Sequence, residues 1–378
     1  MERIVVGLHE GVPRVSVQRD DGDGDVELPA LWLRQYSPES TQCDAVTGQR
    51  LFDPHYLPSD LHLVEVSATD GQIHVTFSDG HRSMFEEAVL LSNIRLSEGV
   101  PEPVLWQAGS GHPRQHVWPT LNNPESELAA LGDFITYGCI VLTEVPCIPD
   151  TLREVAQRFG FVRDTNFGPV FDVRSSPNST DLAYRSVPLS PHTDNPYRTP
   201  VPGIQMLHCL INETNGGFST LVDGFSAIDQ LQATNPDAVD LLANVSVRFR
   251  YRDDSTDIVT VRPVLERDYG GTIVGLSYSP RLDELPLLPA AQTRRYHEAR
   301  QALAQLLASP QLEERFALQA GQLMMFDNNR VLHGRTAFDP NEGMRHLQGC
   351  YIDRDGPRTR WRVLSRQLAT VNSRRLPN

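Results

Sequence analysis

The chain contains no lysine: all 34 of its basic residues are arginine. That excludes a Schiff-base lysine, and with it Schiff-base aldolases and pyridoxal enzymes. We read the bias as genome composition rather than mechanism. Positive charge is scarce overall. The formal net charge of −14 argues against nucleic acid or an anionic membrane as partner. No apolar run reaches the roughly eighteen residues of a membrane-spanning helix. The opening Met-Glu-Arg-Ile-Val-Val-Gly-Leu lacks the apolar core and cleavage site of a secretory signal, so a cytoplasmic protein is expected. Cys43, Cys139, Cys147, Cys209 and Cys350 have no framework spacing and fit reduced thiols in that compartment. There is no internal repeat and no low-complexity segment.

A chain of 378 residues is longer than one core usually serves, so two domains are expected. Residues 1–100 read as a small β-rich domain, with alternating stretches at 14–18 and 72–77 and turns at Asp70-Gly71 and Asp79-Gly80. Residues 101–118, rich in glycine and proline, read as a linker. Residues 119–378 begin with a helix over 125–135, opened by Asn123-Pro124 and closed by Gly138. A strand at 139–144, a helix at 151–159 and a loop-rich aromatic segment at 161–190 follow. Beyond residue 204 strands dominate: 204–211, 219–222, 245–251, 259–266, 272–278, 315–318, 322–326, 336–338 and 345–352. Short helices near 225–233 and 236–243, and the longest at 289–308, interrupt them. The fold class is mainly β with flanking helices.

The stretch 191–202 carries the first chemistry. In an extended segment residues i and i+2 point the same way, so His192 and Asp194 offer an imidazole and a carboxylate to one metal ion. A third ligand would complete a facial two-histidine, one-carboxylate site, which suits Fe(II) and leaves three positions open. His333, at the end of an apolar strand and before a glycine turn, supplies it. Further along, Arg345 offers a bidentate clamp for a carboxylate. A dicarboxylate co-substrate would chelate the iron with one end and pair with Arg345 at the other. Arg335 reads as a surface arginine, His208 and His346 as packing or supporting residues, and Asp253-Asp254 as a solvated turn.

With these residues in place, the chain resembles the Fe(II)- and 2-oxoglutarate-dependent dioxygenases of the taurine-dioxygenase type, closest to the γ-butyrobetaine hydroxylase branch. The motifs are Leu189-Ser-Pro-His-Thr-Asp, Pro202-Gly-Ile-Gln-Met-Leu-His-Cys, Asn215-Gly-Gly-Phe-Ser-Thr-Leu-Val-Asp-Gly-Phe, Phe326-Asp-Asn-Asn-Arg-Val-Leu-His-Gly-Arg and Arg345-His-Leu-Gln-Gly-Cys-Tyr. The resemblance spans nearly the whole chain. It implies a double-stranded β-helix (jelly roll) catalytic domain over 119–378. It also implies iron ligands His192, Asp194 and His333, with Arg345 and Ser219 for 2-oxoglutarate. O2 would be the oxidant, ascorbate would support activity, and the product would be a hydroxylated substrate. Retention of Asp194 argues against the halogenating variants, which leave that ligand position to halide.

The same branch holds a trimethylammonium group in an aromatic cage, since a quaternary cation cannot donate hydrogen bonds and prefers ring faces. Phe167, Phe171, Tyr184 and Tyr351 fall at cage-like positions, although the family more often carries Tyr and Trp there. A plain aromatic core is the other reading of these rings. The anionic end of the substrate is expected near Asp181, Ser279 and Arg281, where the family carries asparagines. The gained Arg281 suits a phosphonate, so both γ-butyrobetaine and 2-(trimethylammonio)ethylphosphonate are candidates, with Arg185 and Arg198 as further possible contacts. Trimethyllysine, a sulfonate such as taurine, and a non-catalytic jelly-roll binding protein are the alternatives.

The relatives carry structural zinc in the N-terminal domain. Here Trp32-Leu-Arg leads only to Cys43, with His81 further on, and two ligands cannot fill a tetrahedral site. No zinc is expected, and the resemblance implies that the domain serves packing and homodimerisation.

Overall fold

The computed structural model describes residues 3–18, 25–94, 98–174, 187–339 and 341–375. The chain divides into two compact units, Met1–Glu98 and Gly99–Asn378.

In the first unit, two three-stranded antiparallel sheets share one apolar core. Val15, Val17, Ile73, Val75, Phe77 and Phe85 fill it from alternating positions, as strands with one dry face require. Cys43 bridges to Arg50 through the backbone, and the His81 ring meets Glu39 at 3.3 Å.

The second unit is a pair of facing sheets. One has six strands in the order Arg114–Val117, Cys139–Thr143, Leu323–Asp327, Ile204–Asn212, Arg345–Ile352 and Phe171–Arg174. All pairs are antiparallel except the first. The other sheet has four strands, Leu189–His192, Val331–Arg335, Ser219–Asp223 and Glu313–Phe316. Val141, Cys209, Leu221, Met324, Val331 and Leu347 pack between them, which makes the unit a β-sandwich of the jelly-roll kind. Helices Pro124–Tyr137 and Thr151–Phe159, with Leu364 of Asp355–Arg375, cover the outer face of the larger sheet. Gly224–Thr234, Pro236–Asn244 and Ala290–Leu307 build a second helical core with the hairpin of Ser246–Arg252 and Asp257–Pro263. The ends of Pro124–Tyr137 form where the sequence places them. The Asn123 side chain accepts from Glu125 N and Ser126 N, and Gly138 closes the helix at φ 76°.

Several expectations need correction. The supposed linker 101–118 belongs to the second unit. Trp106 is buried, its backbone N–H donates to Asp223, and Arg114–Val117 is the parallel edge strand of the large sheet. The loop-rich segment 161–190 contributes two strands, Phe171–Arg174 and Leu189–His192. The strand expected at 336–338 is absent, and the strand lies at Val331–Arg335 instead. His333 is therefore mid-strand, and Gly334 is no turn. A Cβ on Gly334 would lie 2.5 Å from Leu189 O, so glycine is there to let two strands approach. The run 259–266 is two strands, Asp257–Pro263 and Leu265–Arg267, not one. The long C-terminal helix Asp355–Arg375 was not anticipated.

Candidate active site

His192 ends its strand and stands directly opposite His333, with ring centroids 4.4 Å apart. Asp194 lies beyond the strand, so alternation along an extended chain does not aim it; a clamp does. Asn328 accepts from Asp194 N at 2.7 Å and donates to Asp194 O at 2.9 Å. Thr193 N donates to Tyr278 O at 2.7 Å, fixing the residue between the two candidates. Asn328 is fully buried and completes its hydrogen bonding at Pro202 O. The Asp327-Asn328-Asn329 run in the motif was the available signal for this role.

The orientation of each donor is defined. His192 Nδ1–H donates to Ser190 O at 2.9 Å, which leaves Nε2 with its lone pair. That Nε2 lies 3.4 Å from Asp194 Oδ1, and His333 Nε2 lies 3.8 Å from the same oxygen. The second carboxylate oxygen, Oδ2, accepts from the Tyr351 hydroxyl at 2.7 Å. Burial, His192 and Arg281 push the His333 imidazole down to about 3 against the pull of Asp194, so it is neutral at physiological pH. Burial alone would raise the Asp194 carboxyl, but His333, His192 and Tyr351 outweigh it and hold the group well below the usual carboxylate range. The set is thus two imidazoles and one anion, their ligand atoms within 4.8 Å of one another. Among the described residues no other group of three or more His, Cys, Asp or Glu is gathered in this way. This donor set fits a divalent transition metal held on one face.

The cavity above the three residues has a volume of about 700 Å³ and opens between the two sheets. At its inner end stand Arg345, Arg335 and Ser219, all buried. Arg335 is therefore not a surface arginine. It faces Ser219 in the strand register, donates to Val187 O, and lies over the Phe338 ring that Arg345 also covers, at 5.0 and 5.6 Å. Burial, and then Arg345, push Arg335 down to about 10. Arg345 pairs with no carboxylate among the described residues, and its Nε has no hydrogen-bond partner there. A buried guanidinium in that state calls for an anion.

The aromatic candidates Phe167, Phe171 and Tyr351 come together. Phe171 and Tyr351 are 5.4 Å apart and Phe167 and Phe171 6.3 Å apart, and all three line the cavity. Ser279 and Arg281 line it too, and the buried Ser279 Oγ has no partner among the described residues. Tyr184, Asp181 and Arg185 lie outside the described residues. Arg198 bonds Asn166 and does not line the cavity. His346 bonds Asp172 on the outer face, and His208 is wholly buried behind the large sheet; burial pushes it down to about 4. Asp253-Asp254 is a turn, as expected, but it sits at the cavity mouth. Tyr197 and Tyr251 also line the cavity, and no motif drew attention to them.

Residues 110–351 match the taurine catabolism dioxygenase TauD, TfdA family, and residues 7–90 match the γ-butyrobetaine hydroxylase-like N-terminal family. The γ-butyrobetaine dioxygenase of Pseudomonas sp. (strain AK-1) is 34% identical over 344 residues, covering 89% of this chain and 90% of its own. The mitochondrial trimethyllysine dioxygenase of Rattus norvegicus is 28% identical, covering 88% and 82%. Dioxygenase str8 of Strobilurus tenacellus is 29% identical, covering 89% and 85%. With a family match across most of the second unit and a relative this similar along its length, the chain belongs to the TauD, TfdA family and is a 2-oxoglutarate-dependent non-haem iron dioxygenase.

Proposed function

We propose that the protein hydroxylates a C–H bond of a small zwitterionic trimethylammonium compound. The observation that carries this reading is the wall of Phe167, Phe171 and Tyr351 above the His192, Asp194 and His333 cluster. Ring faces attract a cation that cannot hydrogen bond, at roughly 0.5–2 kcal/mol per good contact. Tyr351 links the two halves, because its ring is part of the wall and its hydroxyl holds Asp194. In this reading His192, Asp194 and His333 hold Fe(II), while Arg345, beside Ser219, receives the far carboxylate of 2-oxoglutarate. Iron with 2-oxoglutarate and O2 supplies the oxidising chemistry, releasing succinate and CO2. The chain's own part is to hold the substrate cation at the rings, aim one C–H bond at the metal and keep water out.

Ser279 and Arg281 would take the substrate's anionic end. A guanidinium serves a carboxylate or a phosphonate, which leaves γ-butyrobetaine and 2-(trimethylammonio)ethylphosphonate as the two candidates. The reading includes a cytoplasmic enzyme, in line with five unpaired cysteines, and a homodimer, which sedimentation would test. Trimethyllysine is the second substrate reading, favoured by the similarity to the rat enzyme.

The test is succinate formation with Fe(II), 2-oxoglutarate, O2 and ascorbate over a panel of both candidates, trimethyllysine and taurine. Succinate dependent on a trimethylammonium compound is expected. Succinate stimulated only by taurine, or by none of the panel, would refute the reading. A phosphonate turned over no better than γ-butyrobetaine would remove the special role given to Arg281.

A further inference from the structure

The cavity's aromatic wall continues past the three rings the motifs point to. Phe167 meets Tyr251 at 5.7 Å, nearly edge-on at 72°, and Tyr251 stacks on Tyr197 at 5.2 Å. Tyr351, Phe171, Phe167, Tyr251 and Tyr197 thus form an unbroken arc, and all five line the cavity. One end of the arc is tied to Asp194 itself and the other to its chain neighbour Asn195. Tyr351 bonds the Asp194 carboxylate, and the Tyr197 hydroxyl donates to Asn195 Oδ1 at 2.6 Å.

Tyr251 is brought there by the hairpin of Ser246–Arg252 and Asp257–Pro263, in which it pairs with Ile258. The hairpin tip also lines the cavity, through Asp253 and Asp254. Asp253 is fixed. Its Oδ1 accepts from Ser255 N at 2.8 Å and from Ser255 Oγ at 3.0 Å, and its Oδ2 accepts from the Tyr251 hydroxyl at 2.9 Å. The backbone bond of Ser255, followed by the Tyr251 hydroxyl, brings Asp253 down to about 2, so it is charged whenever the enzyme works. Two guanidiniums at the mouth temper that charge. Arg250 is bound by both oxygens of Asp257, at 2.8 and 2.6 Å, and Arg252 stands nearby. Within the hairpin three carboxylates, Asp253, Asp254 and Asp257, stand against the two guanidiniums of Arg250 and Arg252, while Arg281 lines the same cavity from the neighbouring segment. A phenol that donates to a carboxylate also gains electron density in its ring, which strengthens the attraction of the ring face for a cation.

We propose that Tyr251 and Asp253, carried together on this hairpin, form a second cation-recognising wall of the substrate cavity. They set its preference for a quaternary ammonium group over a neutral group of the same shape. The proposal rests on the trimethylammonium reading above. It adds two specificity-determining residues drawn from a part of the chain remote from every motif.

The experiment compares γ-butyrobetaine with 5,5-dimethylhexanoate, in which carbon replaces the charged nitrogen at unchanged shape. The value read is the ratio of kcat/KM for substrate-dependent succinate formation on the two compounds. It is measured for the wild type, Asp253→Asn and Tyr251→Leu. The wild type is expected to prefer the cation. Each substitution should lower that preference by roughly threefold to thirtyfold, mainly through KM for the cation. A structural role alone would depress both compounds together and leave the ratio unchanged. An unchanged ratio in both variants, with a wild type that prefers the cation, overturns this proposal and leaves the substrate reading standing. A wild type that turns over both equally overturns the two together. Where another trimethylammonium compound of the panel is the one turned over, the same ratio is read for it against its own carbon analogue. Asp253→Asn keeps the size of the side chain at an exposed turn, so its result stands even if Tyr251→Leu fails to fold.

Discussion

Asp194 performs two tasks through two oxygens. Oδ2 is held by Tyr351, so Oδ1 alone faces the two imidazoles. Removing that hydroxyl while keeping the ring separates metal binding from cation binding. Tyr351→Phe should weaken Fe(II) binding by roughly tenfold or more, as loss of a group orienting a metal ligand generally does, with a smaller change in KM for the trimethylammonium substrate. Titration with Fe(II) under anaerobic conditions checks it. Arg345 differs in kind, being a buried cation with no carboxylate paired to it among the described residues. Lysine cannot reproduce a planar fork at a carboxylate. Arg345→Lys should therefore raise KM for 2-oxoglutarate by roughly tenfold or more, measured by initial rates of succinate formation. His192, Asp194, His333 and Arg345 were legible because each stands in a short local motif. Arg335 and Asn328 stand in the same motif as His333, but their roles could not be read from it, where Arg335 reads as a surface arginine. Tyr197 and Tyr251 carried no signal. The placement of all four depends on segments that meet only after folding. The register that sets Arg335 against Ser219 is one example.

The elements act through close approach, and two glycines make this measurable. A Cβ at Gly334 would meet Leu189 O at 2.5 Å and Thr220 Oγ1 at 2.7 Å, pushing the His192 strand away from the His333 strand. A Cβ at Gly349 would meet the Phe171 ring at 2.4 Å and leave the metal ligands untouched. Gly334→Ala should thus lose Fe(II) binding, whereas Gly349→Ala should bind Fe(II) and 2-oxoglutarate but show a raised KM for the cation. Both are read by the same anaerobic titration and by initial rates. Helix packing has its own fixed point. Glu127 is buried and accepts from Arg158 of one helix and Arg360 of another. Burial raises its carboxyl, but Arg360 and Arg158 more than offset this and leave it below its ordinary value. A carboxyl lowered by folding contributes stability above its unfolded value, about 4.3, and loses that contribution as pH falls through the folded value. Glu127→Gln should cost about 1–3 kcal/mol at neutral pH, discounted because Arg360 is partly exposed. The gap to wild type should close as the pH drops below about 4, in denaturant melts run at each pH. Periodicity and caps revealed Pro124–Tyr137 from the sequence. Glycine and proline content concealed residues 101–118, whose order comes from distant partners. Arg330 bonds Val104 O at 2.6 Å, and Asp223 accepts from Trp106 N.

At the scale of the whole molecule, the expectation of no zinc in the first unit can be tested apart from the metal site of the second. The three-residue cluster belongs to the second unit, whereas the first has a continuous apolar core and pairs His81 with Glu39. Treatment with a chelator should abolish activity and leave the circular-dichroism melt of the full chain nearly unchanged. Fe(II), but not Zn(II), should restore turnover. A low-temperature transition that appears on chelation and is reversed by zinc would contradict the zinc-free reading of the first unit. Among the described residues no helix is long and apolar enough to cross a membrane. The most direct test of the account is anaerobic absorption spectroscopy of the wild type with Fe(II) and 2-oxoglutarate. A visible charge-transfer band should appear only when both are present, be lost in His192→Ala, and shift on addition of γ-butyrobetaine but not of 5,5-dimethylhexanoate. A band that survives in His192→Ala, or that never forms in the wild type, would contradict it.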